Sequence, residues 1–434
     1  MKKLSIISLF LAAILLFAAC AESTQAESAE PSQSEIKTEE PEQPTLRLLK
    51  TGDYSNGSGN ANGYYGISYF EDNTIAGWRM DFETMQQTRL CTVPNCAHTG
   101  DTCGALPSKY DARADNLILA DTDRLYWIFG YGEKAKKHIE VSDLDGANRH
   151  TVYTFEENEF PTGRIMATDG ENIYLHIVTE SEAAKDRNPR EIVKINLETK
   201  ETLWRYSLDN YYDSFIDVWD NKIIIESSYV PKTAPVQPEF KKYHGVQNFS
   251  EFEPYLCKKF TAISPNGDSK TLFDMGNVKL AGRFSNGFVY ELEGKQLYKT
   301  DVKVGEKTKL SELPDAPDLQ IAAVWDDHVI ASSYYDPEAT RRLFIVDENG
   351  TVTESKLYRA FKGEQDVILP ICETADDFLV PLDDLPVKRT LIGTGGAPYE
   401  IIGSHVNYVL INKQKYFNGE ADYREITLLP QDMM

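Results

Sequence analysis

Short apolar segments alternate with polar turns along most of this chain. Residues 116–155 show the pattern most clearly, with apolar segments at 117–120, 125–129, 138–142 and 151–155. The turns between them carry Asp and Gly, as in Asp143-Leu144-Asp145-Gly146, which is typical of β-hairpins. The pattern predicts a four-stranded antiparallel sheet. Such a sheet cannot bury both of its faces alone, so copies must pack on one another.

The same unit recurs along the chain at regular intervals. The first apolar residue after each inter-strand turn returns after 48, 50, 65, 41 and 49 residues, at Leu125, Ile173, Ile223, Phe288, Val329 and Phe378. Repeats of about 40–50 residues are typical of propeller blades. A preceding unit at 63–91 brings the count to seven. The sequence therefore predicts an all-β fold, a single β-propeller of seven four-stranded blades over residues 46–434, with six or eight blades as alternatives.

Two segments depart from the regular unit. Residues 46–49 form a short strand-like piece, which we expect to pair with the last blade at 406–429 and so to close the ring. The separation of 65 residues marks an insertion at 230–255, which contains four prolines and five aromatic residues. Loops of this length in a compact ring are commonly functional. Its aromatic side chains could stack on a sugar or a peptide, or fold back onto the propeller rim.

The first 45 residues have a different composition from the rest. Lys2 and Lys3 precede an apolar run at 4–17 and the small residues Ala18 and Ala19, which predicts a secretory signal peptide over residues 1–20. The run is too short for a comfortable membrane span. Residues 21–45 contain seven Glu and one Lys among Ser, Gln, Pro and Ala. This composition predicts a disordered acidic tether of about 25–30 Å mean length.

The position of Cys20 directly after Ala18 and Ala19 resembles the lipobox of bacterial lipoproteins, although Phe17 stands where that pattern usually has Leu. The resemblance implies that Cys20 is diacylated and that the protein is exported and anchored to the cell membrane on its extracytoplasmic face. Two acyl chains hold a protein stably on a membrane. The alternative is an ordinary signal peptide. The blade pattern resembles the TolB-like propeller repeats of bacterial surface lipoproteins, which implies no activity.

Charge excludes one class of partner. Residues 46–434 contain 61 acidic and 42 basic residues. A body this acidic is a poor partner for nucleic acid, and for anionic lipid beyond its own anchor. Cationic, neutral or metal-containing ligands stay open. The acidity could also serve only to keep an exported protein soluble.

The densest group of potential metal ligands is Cys91, Cys96, His98 and Cys103, spaced as C-x4-C-x-H-x4-C. Three thiolates and an imidazole suit a closed tetrahedral zinc site, which would be structural because no coordination position is open. The exported compartment also permits disulfides, so a Cys96–Cys103 bridge or free thiols are alternatives. The segment resembles one that follows the first blade in uncharacterised propeller lipoproteins of Gram-positive bacteria, and that resemblance implies no particular ligand.

The sequence favours a binding or protein-interaction module at the cell envelope, with an unknown protein or carbohydrate as its ligand. The alternative is a hydrolase or lyase acting on polysaccharide through dispersed carboxylates at the propeller channel. Asp169, Asp220 and Asp326 are the candidates, but they occupy equivalent turn positions, which indicates a structural origin. Neither the G-x-S-x-G nor the H-E-x-x-H motif occurs. Scattered histidines such as His176 are expected to be structural.

Overall fold

The computed structural model of the protein describes residues 45–52, 57–69, 75–96, 103–105, 116–130, 137–182, 187–210, 212–241, 245–277, 282–333, 341–361, 364–392 and 398–429. Cys20, the predicted signal peptide and tether, and His98 lie outside these residues. The described residues belong to one unit, Pro44–Met434.

Seven blades of four antiparallel strands each follow one another in a ring, and the sheets of blades 3 and 7 contain additional strands, which confirms the predicted all-β propeller of seven blades. One strand precedes the first blade, and each of the first three blades then takes four consecutive strands. In chain order the strands before blade 4 are β1 (Arg47–Lys50); β2 (Ser58–Asn60), β3 (Gly63–Tyr69), β4 (Ile75–Asp81) and β5 (Gln86–Arg89) in blade 1; β6 (Leu117–Ala120), β7 (Arg124–Phe129), β8 (His138–Asp143) and β9 (His150–Thr154) in blade 2; β10 (Glu159–Thr168), β11 (Asn172–Thr179), β12 (Arg190–Asn196) and β13 (Thr202–Ser207) in blade 3.

The later blades carry the additional elements. Their strands are β14 (Tyr212–Trp219), β15 (Lys222–Tyr229), β18 (Cys257–Ile263) and β19 (Ser269–Asn277) in blade 4, with β16 (Phe240–Lys241) and β17 (Gly245–Val246) inserted; β20 (Arg283–Ser285), β21 (Phe288–Glu293), β22 (Gln296–Asp301) and β23 (Lys307–Glu312) in blade 5; β24 (Gln320–Trp325), β25 (His328–Ser332), β26 (Leu343–Val346) and β27 (Val352–Glu354) in blade 6; and β28 (Tyr358–Phe361), β29 (Glu364–Val367), β30 (Cys372–Glu373), β31 (Asp377–Ile392), β32 (Pro398–Asn412) and β33 (Tyr423–Glu425) in or beside blade 7.

The helices of the described residues are short. They are α1 (Phe249–Phe252) followed by a 3-10 turn (Glu253–Tyr255) in the insertion, and α2 (Lys413–Asn418) in blade 7. Across the described ranges, no helix has the length and apolar character needed to cross a membrane.

Antiparallel pairing sorts the connections between two ends of the ring. Within each blade, the turn from the first to the second strand and the turn from the third to the fourth leave the sheet at the same end, here called the short-turn end. The connections from the second to the third strand, and those between blades, leave at the opposite end, here called the long-connection end. The insertion between β15 and β18 and the segment between β5 and β6 both lie there.

The apolar core is divided among the blade interfaces. The described residues form seven hydrophobic clusters, and each joins two neighbouring blades. The cluster around Trp127 joins blades 1 and 2, and the cluster around Tyr64 and Leu379 joins blade 7 back to blade 1. Because burial of apolar area is the main favourable contribution to folding, each blade depends on both neighbours for its stability.

Neighbouring blades are also joined at their outer strands. The turn between the third and fourth strands of one blade packs on the outer strand of the preceding blade. Trp204 on β13 donates from its indole to the carbonyl of Pro265 in blade 4, at 2.9 Å. Ser311 on β23 donates to the carbonyl of Gly350 in blade 6, at 2.7 Å. These bonds fix the outer edge of the ring, where apolar burial is least.

The expected pairing of residues 46–49 with the last blade is wrong. β1 pairs antiparallel with β10, the first strand of blade 3, with Leu48 opposite Ala167. First strands of neighbouring blades contact one another and so surround the axis, and β1 also contacts β6 and β14. The Nζ atom of Lys50 lies 4.9 Å from the ring centroid of Trp325 in blade 6. β1 therefore lies in the central channel.

The ring is closed instead by residues that follow β33. The backbone N–H of Gln87 on β5 donates to the carbonyl of Thr427 at 2.8 Å, and the N–H of Thr427 donates to the carbonyl of Met85 at 2.9 Å. Ile426 is buried in the cluster shared by blades 1 and 7. The sequence placed the closing contact at the correct blade but assigned it to the wrong strand, because a four-residue strand carries too little pattern to select among several free sheet edges.

Candidate functional site

The cysteine segment begins where the outer strand of blade 1 ends. Leu90 is fully buried between blades 1 and 2, and its N–H donates to the carbonyl of Gly77 on β4 at 3.0 Å. Cys91 follows directly. A turn then reverses the chain, with Asn95 at φ +55° and the N–H of Cys96 donating to the carbonyl of Val93 at 3.2 Å. The turn at Pro94-Asn95 thus brings Cys96 back toward Cys91.

Three of the four predicted ligands come together. The sulfur atoms of Cys91, Cys96 and Cys103 all lie within 4.8 Å of one another. A tetrahedral site with Zn–S bonds of about 2.3 Å places its sulfurs about 3.8 Å apart, so small movements would close the cluster around an ion. No disulfide joins these three thiols in the structure. This group is a candidate metal centre, and His98, its expected fourth ligand, lies outside the described residues.

The environment makes the three sulfurs unequal. Burial raises the pKa of Cys91, but hydrogen bonds from the Val93 and Gly104 N–H groups and from the other two thiols outweigh burial and lower it. Burial raises the pKa of Cys103 to about 11. Because a thiolate is the form that binds metal, Cys91 is the sulfur best prepared for coordination. Coordination would have to remove the proton from Cys103.

The far side of the segment is attached to two blades. The carbonyl of Ala105 accepts from the N–H of Gly77 in blade 1 at 2.8 Å. The carbonyl of Gly104 accepts from Nη1 of Arg149 in blade 2 at 2.9 Å. A cluster of ligands held between these attachments can fix the connection between the two blades. That role is structural and does not require an open cleft.

The carboxylates considered for an enzyme serve local structure. Asp169 accepts from the N–H groups of Glu171 and Asn172 and from the hydroxyl of Tyr174. Asp220 and Asp326 have positive φ values in tight turns at the short-turn end, and each forms a salt bridge with a lysine. They do not converge on one site. Their positions agree with the structural origin that the sequence indicated.

The insertion presents some aromatic side chains and buries others. Phe252 is fully buried, whereas Phe249 and Tyr255 are 41% and 36% exposed. The ring centroid of Phe240 lies 5.3 Å from the guanidinium carbon of Arg187 in blade 3. Tyr243 lies outside the described residues. Part of the loop therefore packs onto the propeller, while Phe249 and Tyr255 stay exposed.

The sequence did not single out the polar groups at two places in the ring. One is the channel, where Arg47 on β1 forms a bidentate salt bridge with Asp121 of blade 2, both bonds being 2.7 Å long. The other is the junction of blades 3 and 4, where Arg187, Arg190 and His176 lie together. Residues separated in sequence by a sheet connection give no linear motif, so only their charge and their proximity in space could have identified them.

Comparison with known proteins adds little to this description. No family model matches the chain, and no curated protein matches its sequence. Solved structures with some similarity include Pyrococcus horikoshii acylaminoacyl peptidase (13% identity, TM-score 0.47, 87% of this chain and 52% of that one) and the β-propeller domain of the Trilobed protease from Pyrococcus furiosus (11%, 0.44, 88% and 98%). TolB from Acinetobacter baumannii is a further example (11%, 0.30, 72% and 64%). The chain spans about half the length of the P. horikoshii peptidase. The fold assignment rests on the strand order alone.

Proposed function

We propose that this chain is a lipid-anchored, extracytoplasmic propeller that binds a protein or carbohydrate ligand at its long-connection end. The observation that carries the proposal is the division of the ring. The channel is occupied by β1, whereas the cysteine segment and the insertion with its exposed aromatic residues leave at the long-connection end. Binding residues are commonly carried by connections on a rigid scaffold.

Strand β1 runs from the short-turn end of the ring toward the long-connection end. Leu46 donates its N–H to Asn221 in a turn at the short-turn end, and β1 then runs antiparallel to β10 toward the long-connection end. The chain therefore enters the ring from the short-turn end.

The binding surface can be tested on the full chain with Cys20→Ala, which removes the site of lipidation. Phe249→Ala and Tyr255→Ala should each weaken binding to a glycan or peptide array by about tenfold, since stacking and burial of an aromatic ring contribute about 1–3 kcal/mol. Val304→Ser is the matched control, because Val304 is 71% exposed in a turn at the short-turn end of blade 5. Equal loss in all three variants, or loss only in the control, would contradict the proposal.

The anchor has its own test. In cells, Cys20→Ala should move the protein from the membrane fraction to the soluble extracytoplasmic fraction. Cys257→Ala is the control, because Cys257 is buried in blade 4 and is not part of the cysteine cluster. A Cys20→Ala protein that still fractionates with membranes would refute lipid anchoring without affecting the binding surface.

We also propose a structural zinc ion bound by Cys91, Cys96 and Cys103, with His98 as the fourth ligand. Its support is the proximity of the three sulfurs and their place between two blades. Purified protein should contain about one zinc per chain, and Cys96→Ser should lose it while Cys257→Ser keeps it. No bound metal together with two fewer titratable thiols would favour the Cys96–Cys103 disulfide instead.

A further inference from the structure

Two arginines at the junction of blades 3 and 4 donate hydrogen bonds to backbone carbonyls. Arg187 lies in the connection before β12 and donates to the backbone carbonyls of Asn210 and Leu208. Arg190 begins β12 and donates to the backbone carbonyl of Asp213 at 2.9 Å. Within the described ranges, neither guanidinium forms a salt bridge with a carboxylate. Nine other arginines of the described chain do form salt bridges, in a protein of net charge −23.

A buried histidine lies beside Arg190. His176 on β11 pairs with Ile192, and Arg190 pairs with Val178, so all four side chains point to the same face of the sheet. That face packs against blade 4 through Ile192 and Tyr174. His176 is 7% exposed, and its Nε2 atom has no hydrogen-bond partner among the described atoms. A buried polar atom without a partner is destabilising, and a ligand that bonds to it could recover this cost.

The neutral form of His176 can donate a hydrogen bond to a ligand. Burial, with the charge of Arg190 next, lowers the pKa of His176 to about 4. The ring is therefore neutral at pH 7, and one of its nitrogens carries a proton. An Nε2–H group can donate one hydrogen bond without adding a third positive charge to the junction.

The charge of Asp213 acts to raise the pKa of Arg190, but the hydrogen bonds to its carboxylate come from Asn210. Asp213 is 1% exposed, and its two oxygens accept from the N–H and the side-chain amide of Asn210 at 2.8 and 2.9 Å. Burial, and then the charge of Arg187, lower the pKa of Arg190. Arg187, Arg190 and Asp213 together carry one net positive charge. An anion would compensate that charge, and a guanidinium can bind an oxyanion through two parallel N–H bonds.

The junction is accessible from the long-connection end. Arg187 and Arg190 are half-buried, and Tyr212, which begins β14 next to them, is 50% exposed. The ring of Phe240 in the insertion also lies over the guanidinium of Arg187. Aromatic rings flanking a charged group are suited to a ligand with an extended apolar or sugar face.

We propose that Arg187, Arg190 and His176 form a binding site for an oxyanion, namely a carboxylate, sulfate or phosphate group carried by the ligand. The inference rests on the proposed binding role and names the chemical group that this end of the ring recognises. The guanidiniums hold the charge, the histidine donates a single hydrogen bond, and Tyr212 contacts the part of the ligand that carries the anion.

The test measures the melting temperature and calorimetric binding of the full chain with Cys20→Ala. Galacturonate, sodium sulfate and inorganic phosphate are compared with sodium chloride at matched ionic strength. A ligand at ten times its Kd should raise the melting temperature by about 2 °C. Arg190→Gln and Arg187→Gln should each weaken binding at least tenfold. Lys270→Gln on the exposed face of β19 makes the same charge change outside the site and should bind as the parent does.

Each outcome decides the proposal. Equal responses in the parent and in both arginine variants, or no response beyond that of sodium chloride, would overturn it. A response to galacturonate alone would identify a carboxylate-bearing sugar, and a response to phosphate or sulfate alone would identify those groups. If Arg190→Gln does not fold, Arg187→Gln provides the same comparison from a connection. Array binding that persists without any oxyanion response would refute this site and leave the proposed binding role intact.

Discussion

The salt bridge between Arg47 and Asp121 provides the sharpest test of the strand in the channel. The Asp121 side chain is fully buried, while that of Arg47 is 36% exposed. Arg47→Met removes the charge and keeps most of the aliphatic stem. It leaves Asp121 buried with only the N–H of Thr122, at 2.8 Å, as a donor to its carboxylate.

The expected cost follows from this geometry. Removing one partner of a fully buried pair costs about 3–5 kcal/mol, whereas exposed pairs contribute at most about 1 kcal/mol. One partner here is buried and the other is partly exposed, so we expect Arg47→Met to destabilise the protein by about 2–3 kcal/mol. For a unit of about 390 residues, this corresponds to a fall of about 3 °C in the melting temperature.

A double-mutant cycle isolates the pair. Asp121→Asn alone leaves Arg47 without its carboxylate, and the double variant removes both charges. The double variant should recover about 1–2 kcal/mol relative to the sum of the single variants. Limited trypsin digestion gives a second measurement, because cleavage after Lys50 requires β1 to leave the channel. Cleavage there should be faster in Arg47→Met than in the parent.

Additive single effects and unchanged trypsin cleavage would refute the position of β1. In that case residues 46–50 would not contact blade 2 in solution, and the channel would be open. The alternative enzyme interpretation would then regain a site, because a free channel could bring carboxylates of several blades to one substrate.

Two further changes test blade packing and channel electrostatics. Gly350→Ala should destabilise the protein by about 3 kcal/mol or more in thermal unfolding, because a Cβ atom would lie 2.1 Å from the carbonyl oxygen of Leu310. Gly305→Ala is the control, since Gly305 has a similar positive φ but no atom within 4 Å of a Cβ position, and it should cost only about 1–2 kcal/mol. Burial raises the pKa of Asp217 to about 6, although the hydrogen bond from the N–H of Val218 acts to lower it. The protonated carboxyl group therefore stabilises the fold below about pH 4, and this stabilisation is lost as the pH rises through 6. Asp217→Asn should therefore raise the melting temperature at pH 8 and leave it unchanged at pH 3.5, and the opposite pH order would contradict this assignment.

The blades could be predicted from sequence because their signals are local. Alternating apolar residues on either side of an Asn-Gly turn, as at Asn349-Gly350, set both the strand and its hairpin partner within about fifteen residues. The strand at residues 46–49 was likewise predicted from its local pattern. Its partner was not predictable, because the free edges of several first strands offer the same hydrogen bonds, and only the assembled ring selects β10 among them.

The two candidate sites differ in the same way. The thiols of Cys91, Cys96 and Cys103 were found because their spacing is short enough for a single turn to bring them together. Arg187 and His176 were not, because arginine is a common surface residue and a lone histidine is usually structural. What distinguishes them is the absence of salt bridges to the guanidiniums in the described chain and an Nε2 atom without a partner, and both depend on the tertiary structure.

The negative charge of the chain affects how an anion reaches the proposed site. An anion approaching from a distance meets a protein of net charge −23, which repels it, whereas at the junction of blades 3 and 4 it meets Arg187 and Arg190. At physiological ionic strength, charges more than about 8 Å away are largely screened, so the arginines dominate once the ligand is close. Lowering the ionic strength extends the range of the repulsion by the whole protein more than it strengthens the attraction to the two arginines at close contact. Association should therefore become slower at low ionic strength, which is opposite to the behaviour of a basic surface that attracts anions from a distance.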